Sequence, residues 1–176
     1  VYSTGNMAIR NGTANANEAV DGGGGFYVAP GAGTGIAIFW NATISGNSAD
    51  LGGGLLAGDG EDVKFYGGTL TANTAPVGAG LSSSSTDFEM NATIVADQTS
   101  GHDCDSDGDG WIDSHGYNLD SDGSCPFGGT GNISNTDPLL DSLGNNGGPT
   151  FTMALLAGSP AIDSGTNSGC PTTDQR

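Results

Sequence analysis

A parallel β-helix is the fold class this 176-residue chain predicts, on three observations. One sentence of sequence recurs, as NGTANANEAVDGGGG from Asn11, NATISGNSADLGGG from Asn41 and GGTLTANTAPVGAG from Gly67, with a degraded copy, NATIVADQTSG, from Asn91. The copies start 30, 26 and 24 residues apart, and a unit of that size cannot bury an apolar face unless it stacks on its neighbours. The runs Ile36 to Ile44, Val63 to Leu70 and Phe88 to Val95 are rich in β-branched and aromatic residues and lack helical spacing and caps.

Each element of the repeat has a physical reason. Asn17, Asn47, Asn73 and Asp97 fall six residues into their copies, at a corner where a side-chain amide can bond the neighbouring backbone, so an asparagine ladder is expected. Glycines at 22–25, 52–54 and 78–80 mark the next corner, where a positive φ or a close backbone excludes Cβ. The unequal spacing of the copies is assigned to the loops. Trp40, Tyr66 and Met90 directly precede the copy starts, with Phe39 and Phe65 one residue earlier. Adjacent strand residues face opposite ways, so one column is stacked core and the other is either a loop-covered face or an exposed contact for carbohydrate or protein. Residues 1–100 are read as about four stacked coils, 101–130 as an acidic loop insertion and 131–176 as a C-terminal coil, one domain in all.

Composition narrows the function. The 33 glycines and 13% charged residues describe a thin, turn-rich body. Only Arg10, Lys64 and Arg176 are basic against 20 acidic residues, and a net charge of −17 disfavours nucleic acid and anionic membranes while favouring cations. No apolar run approaches a bilayer span, and no signal peptide opens the chain, which starts at Val1 and is read as a processed segment of a longer precursor.

The C-terminal stretches GHDC, GYNLDSDGSC, NTDPLLDSLGNNGGPTFTMALLAGSPAIDSG and CPTTDQR resemble the C-terminal region of bacterial extracellular choice-of-anchor Q proteins. The upstream repeats look like those of polymorphic outer-membrane proteins and other β-helix adhesins. The resemblance covers the whole chain and is most specific from Asn145 to Gly165. It implies a secreted, right-handed parallel β-helix at the cell surface and carries over no catalytic motif. It also implies a disulfide between Cys104 and Cys125, which would close a loop of roughly 20 residues for about 3 kcal/mol on the chain-entropy model; two buried free thiols are the alternative. Family members continue past CPxTDQR to a further cysteine. Stopping at Arg176 leaves Cys170 either free or bridged to a second molecule, and a last coil without its cap exposes β edges that invite pairing.

Within the acidic stretch, DCDSDGDGWID resembles the calcium loops of EF-hand, dockerin and thrombospondin-type repeats. Asp105, Asp107, Asp109 and Asp113, with the Trp111 carbonyl, form the expected Ca²⁺ ligand set, because hard oxygen ligands two residues apart converge where a glycine turns the chain. Gly116 replaces the bidentate Glu, and Asp120 or Asp122 would complete the shell; a merely solvated acidic loop is the bland reading. His102 and His115 flank the loop without the spacing of a transition-metal site. Asn11, Asn41, Asn91 and Asn132 open glycosylation triplets, three of them at what reads as one repeat position, where corner chemistry explains them equally well. The run Ser82 to Thr86 reads as a flexible loop or an O-glycan patch.

The functional expectation is a non-enzymatic extracellular structural protein, a matrix, surface-layer or filament subunit that self-associates through open β edges. A surface adhesin or glycan-binding module is the alternative, told apart by whether a groove lies open. A polysaccharide lyase would need more than Arg10 and Lys64 in its coils, and a hydrolase would need two carboxylates on neighbouring coils, where the strands offer little beyond Asp62, Asp87 and Glu89.

Overall fold

The computed structural model describes residues 1–29, 31, 35–60, 62–84, 86–106, 111–168 and 173–176. Among them there is no helix. Each rung contributes three short strands: β1 (Tyr2–Ser3), β2 (Met7–Arg10) and β3 (Thr13–Asn15), then β4 (Phe26–Val28), β5 (Ile36–Trp40) and β6 (Thr43–Ser45). The third rung holds β7 (Leu55–Ala57), β8 (Asp62–Tyr66) and β9 (Thr69–Thr71), and the fourth β10 (Leu81–Ser83), β11 (Asp87–Asn91) and β12 (Ile94–Ala96). The acidic segment supplies a fifth rung, β13 (Cys104–Ser106), β14 (Trp111–Ser114) and β15 (Leu119–Asp120). Equivalent strands pair in parallel into three 5-stranded sheets, β1-β4-β7-β10-β13, β2-β5-β8-β11-β14 and β3-β6-β9-β12-β15. The chain is therefore a parallel β-solenoid of about four turns.

The core is a set of columns, because parallel register stacks like residue on like. Phe26, Leu55, Leu81 and Cys104 form one, and Ile9, Phe39, Phe65 and Met90 another, with the Phe39 and Phe65 rings stacked at 5.2 Å. Thr13, Thr43, Thr69, Ile94 and Leu119 are partners in the third sheet, steps of 30, 26, 25 and 25 residues. At the glycine corner a Cβ on Gly54 would stand 2.5 Å from the carbonyl of Gly80 in the next rung, so the stack itself excludes a side chain there.

The fourth copy sits one residue later than its NAT motif suggests. The left-handed corner residue, Asn11, Asn41 and Gly67 in the first three rungs, is Ala92 in the fourth. Two expectations change with it. The corner ladder runs Asn17, Asn47, Asn73 and Gln98, each amide nitrogen donating to the next carbonyl oxygen at 2.8 to 3.3 Å, and Asp97 instead occupies a left-handed turn beside it. Met90 joins the buried Phe39–Phe65 column while Asn91 pairs with Tyr66 on the outer face, since a one-residue slip exchanges the two faces.

The serine run is neither loose nor a surface patch in its described part. Ser82 and Ser83 lie buried in β10, and Thr86 is buried with its hydroxyl donated to the Gly58 carbonyl.

After β15 the chain crosses the end of the core. Cys125 is 3% exposed and belongs to the core cluster, with Phe127 packed against it, and the Cys104–Cys125 disulfide ties this crossing to β13. Ile133 then bridges Leu119 in parallel. From there the chain runs back along the third sheet to the first rung. The Gln175 side chain, 6% exposed, donates to Gly12, Thr13 and Thr150 and accepts from Thr43, while Asn41 donates to the Thr173 carbonyl. Cys125 and Phe127 thus pack on the last rung of the core, while among the described residues no strand pairs with the outer edges of β13 and β14.

Candidate functional site

Two places carry chemistry: the outer face of the second sheet and the acidic corner at the fifth rung.

On the second sheet the strands alternate, so Phe39, Phe65, Phe88 and Met90 point inward and three columns point out, the first holding Ile36, Asp62 and Asp87. Two others carry the basic residues. One reads Ala8, Ile38, Lys64, Glu89, Asp113 and the other Arg10, Trp40, Tyr66, Asn91, continuing to His115 through its backbone bond to Met90. Two of the three basic residues of a strongly acidic chain therefore stand here. The Arg10 guanidinium lies 3.7 Å over the Trp40 ring, and Trp40 leans on Tyr66 at 6.0 Å and 38°. Arg10 thus covers one face of the Trp40 ring.

Lys64 Nζ donates to Glu89 at 2.6 Å, and the Tyr66 hydroxyl donates to the other oxygen of Glu89 at 2.9 Å. The lysine hydrogen bond holds Glu89 below the usual carboxylate range despite its partial burial. Burial, reinforced by the bond to Glu89 and its charge, pushes Tyr66 up to about 12. His115 contacts the Asp113 carboxylate at 3.3 Å. A groove of about 490 Å³ runs beside the column, between Trp40, Tyr66, Asn91, His115 and Tyr117 on one side and Thr166 and Ser168 of the returning chain on the other. Glu89 and Asp113 are register partners, so neighbouring coils do present two carboxylates here. The lysine hydrogen bond lowers Glu89, which does not suit a general acid but leaves the role of a base or nucleophile open.

At the acidic corner, Asp103, Asp120 and Asp122 bring ligand oxygens within 4.8 Å of one another. Asp103, 1% exposed, accepts through one oxygen from the Ser121 amide and hydroxyl, both at 2.7 Å, and from the Asp122 amide at 3.2 Å. Burial nevertheless pushes it up to about 6, with the Asp122 charge adding to the rise. Asp120 is 0% exposed, and neither of its oxygens closes a hydrogen bond; burial raises its pKa, opposed by the nearby Ser134 hydroxyl and the Gly123 and Cys125 amides. Asp122 bonds the Ser124 amide and hydroxyl through one oxygen and the Asp103 amide and His102 ring through the other.

Of the calcium set expected from the sequence, Asp105 lies in β13 and Asp113 in β14, on different sheets, with the Trp111 backbone opening β14. Asp107 and Asp109 lie outside the described residues, as does Cys170. Asp120 and Asp122, expected to complete that shell, are gathered instead with Asp103, to which the sequence reading gives no role. Of the acceptor asparagines, Asn41 is 8% exposed, and the amides of Asn41, Asn91 and Asn132 all donate within the fold, to Asn11 and Thr173, to His115 and Gly116, and to Gly128. No helix among the described residues is long and apolar enough to cross a membrane.

No family model, curated protein or solved structure matches the chain.

Proposed function

We propose that the chain is a non-enzymatic extracellular solenoid that binds a glycan along the outer face of its second sheet. The observation that carries this is the open groove along Trp40, Tyr66, Asn91 and His115, whose polar atoms suit a hydroxyl-rich chain laid across successive rungs. The groove is walled by two tyrosines, a tryptophan and a histidine, groups that offer both apolar surface and hydrogen bonds. The disulfide supports an oxidising compartment, and the resemblance over Asn145 to Gly165 points the same way. Glu89 clamped through both oxygens by Lys64 and Tyr66 supports binding over hydrolysis.

A polysaccharide array tests this. Wild type is expected to bind one class of glycan, with at least tenfold weaker binding by Trp40→Ala and His115→Ala and unchanged binding by Tyr27→Ala on the first sheet. Absence of binding across the array, or equal binding by all three variants, overturns the reading; release of new reducing ends from a bound glycan makes it an enzyme.

A second reading, a self-associating structural subunit, draws on the first rung. Among the described residues no strand pairs with the outer edges of β1, β2 and β3, and Val1, Tyr2 and Val20 are more than 60% exposed. Light scattering across concentration tests it: a strictly monomeric species rejects assembly through that edge.

A further inference from the structure

The acidic corner breaks two columns that the other rungs keep. Asp103 directly precedes β13 at the position held by Gly25, Gly54 and Gly80 before β4, β7 and β10, so a carboxylate enters where the stack elsewhere admits no side chain. Asp120 stands in the inward column of Ala14, Ile44, Leu70 and Val95, and is therefore a charged group in line with the apolar core. Asp122 follows on the crossing that the disulfide pins down. Three carboxylates thus share one small volume. The His102 ring contacts only an Asp122 oxygen, and no lysine or arginine is recorded against any of the three.

A cluster of acids alone says nothing, but Asp120 adds a second observation. It is fully buried, neither oxygen closes a hydrogen bond although the Ser134 hydroxyl and the Gly123 and Cys125 amides stand near, and its carboxylate offers an oxygen within 4.8 Å of oxygens of Asp103 and Asp122. A buried ionised carboxylate is tolerated only when it is paired or coordinates a metal. Asp103 keeps its second oxygen uncommitted while its first is fixed by three donors, the arrangement of a ligand already oriented by its neighbours.

We propose that Asp103, Asp120 and Asp122 bind one hard divalent cation, of the Ca²⁺ class, that fastens the crossing over the end of the solenoid core. An all-oxygen carboxylate set selects Ca²⁺, Mg²⁺ or Mn²⁺ over zinc or copper, and the irregular backbone of residues 120–125 suits the flexible coordination of calcium. The ion joins the start of β13, the end of β15 and the crossing, three pieces of chain that otherwise meet through the disulfide and a few side-chain bonds. The site is distinct from the Asp105–Asp113 loop, and the inference is independent of glycan binding.

The test is a thermal melt and calorimetric titration of the chelated chain with Ca²⁺ alone. One site is expected, and calcium at a hundred times its dissociation constant should raise Tm by about 5–10 °C for a chain of this size. Asp120→Asn keeps the shape and removes the charge, so it should lose the calcium response yet melt above wild type in chelator. Asp122→Asn, at a half-exposed position, should fold normally and bind at least tenfold more weakly. Asp105→Asn combined with Asp113→Asn should keep the full response. No heat and no shift in wild type overturns the site, as does an intact response in Asp120→Asn or Asp122→Asn. A response abolished by the Asp105 and Asp113 substitutions assigns the ion to the loop instead and equally overturns it.

Discussion

Asn73 makes four side-chain hydrogen bonds from a position that solvent does not reach: it accepts from the Asn47 amide and side chain and donates to Ile44 and Gln98. Asn73→Ala would strand two donors and a carbonyl on neighbouring rungs, each costing about 1–3 kcal/mol when left unpaired. We expect a loss of about 3 kcal/mol or more by urea unfolding, and no recovery in Asn73→Asp, which cannot donate to Ile44. The ladder was legible in the sequence for its first three members because a recurring Asn at a corner has few other uses. Its fourth member was not, because the attractive NAT triplet at Asn91 masks a register in which Gln98 is the partner. Only the pairing of Asn91 with Tyr66 reveals the slip.

Lys64, Glu89 and Tyr66 set a pH window at the same scale. Glu89 is lowered, so its contribution is present above the ordinary carboxylate range and fades as pH falls through it. Tyr66 is raised to about 12, so its contribution is intact below pH 10 and is lost between about 10 and 12. The side chains are 26% and 32% exposed, enough for solvent to keep the pair's share near the ~0.2–1 kcal/mol of surface ion pairs. Glu89→Gln should therefore cost stability near neutrality and converge with wild type only once pH has fallen below the ordinary carboxylate range, as read by chemical denaturation at each pH.

At the scale of elements, the return of the chain along the third sheet hangs on Gln175, whose side chain makes three hydrogen bonds to the first and second rungs and a fourth to Thr150. Gln175→Ala should loosen residues 148–152 and 173–176 by about 1–3 kcal/mol while leaving the rungs intact. Hydrogen exchange checks this: faster exchange at the Thr152 amide, bonded to Gly144, with unchanged protection in β5 and β8, is the expected pattern. The disulfide is the matching device at the other end. It joins residues 21 apart and is worth about 3 kcal/mol on the chain-entropy model, so reduction should lower Tm by roughly 6–12 °C. The strands and glycine corners were readable because pairing repeats them. The acidic corner was not: Asp120 and Asp122 lie 17 and 19 positions after Asp103 in a non-repetitive stretch, and the denser run from Asp105 to Asp113 draws the eye. The readable signal is the pair of broken columns, Asp103 after three glycines and Asp120 after four aliphatic residues.

For the whole molecule, a solenoid fixes which residues share a face with little freedom, since register copies each position upward by one strand spacing. That regularity turns scattered letters such as Arg10, Trp40, Tyr66 and Asn91 into one line beside a groove. The sequence left open which aromatic column faces outward, because alternation determines the pattern without its phase. The central claim is that this line is where the molecule meets a glycan. Nuclear magnetic resonance of the isotope-labelled chain, titrated with oligosaccharides of the polysaccharide it retains most strongly, tests it most directly. Saturable shifts of the Trp40 indole and the His115 and Tyr117 amides, with the first sheet silent, are the predicted result; shifts confined to other surfaces, or none at millimolar ligand, would contradict it.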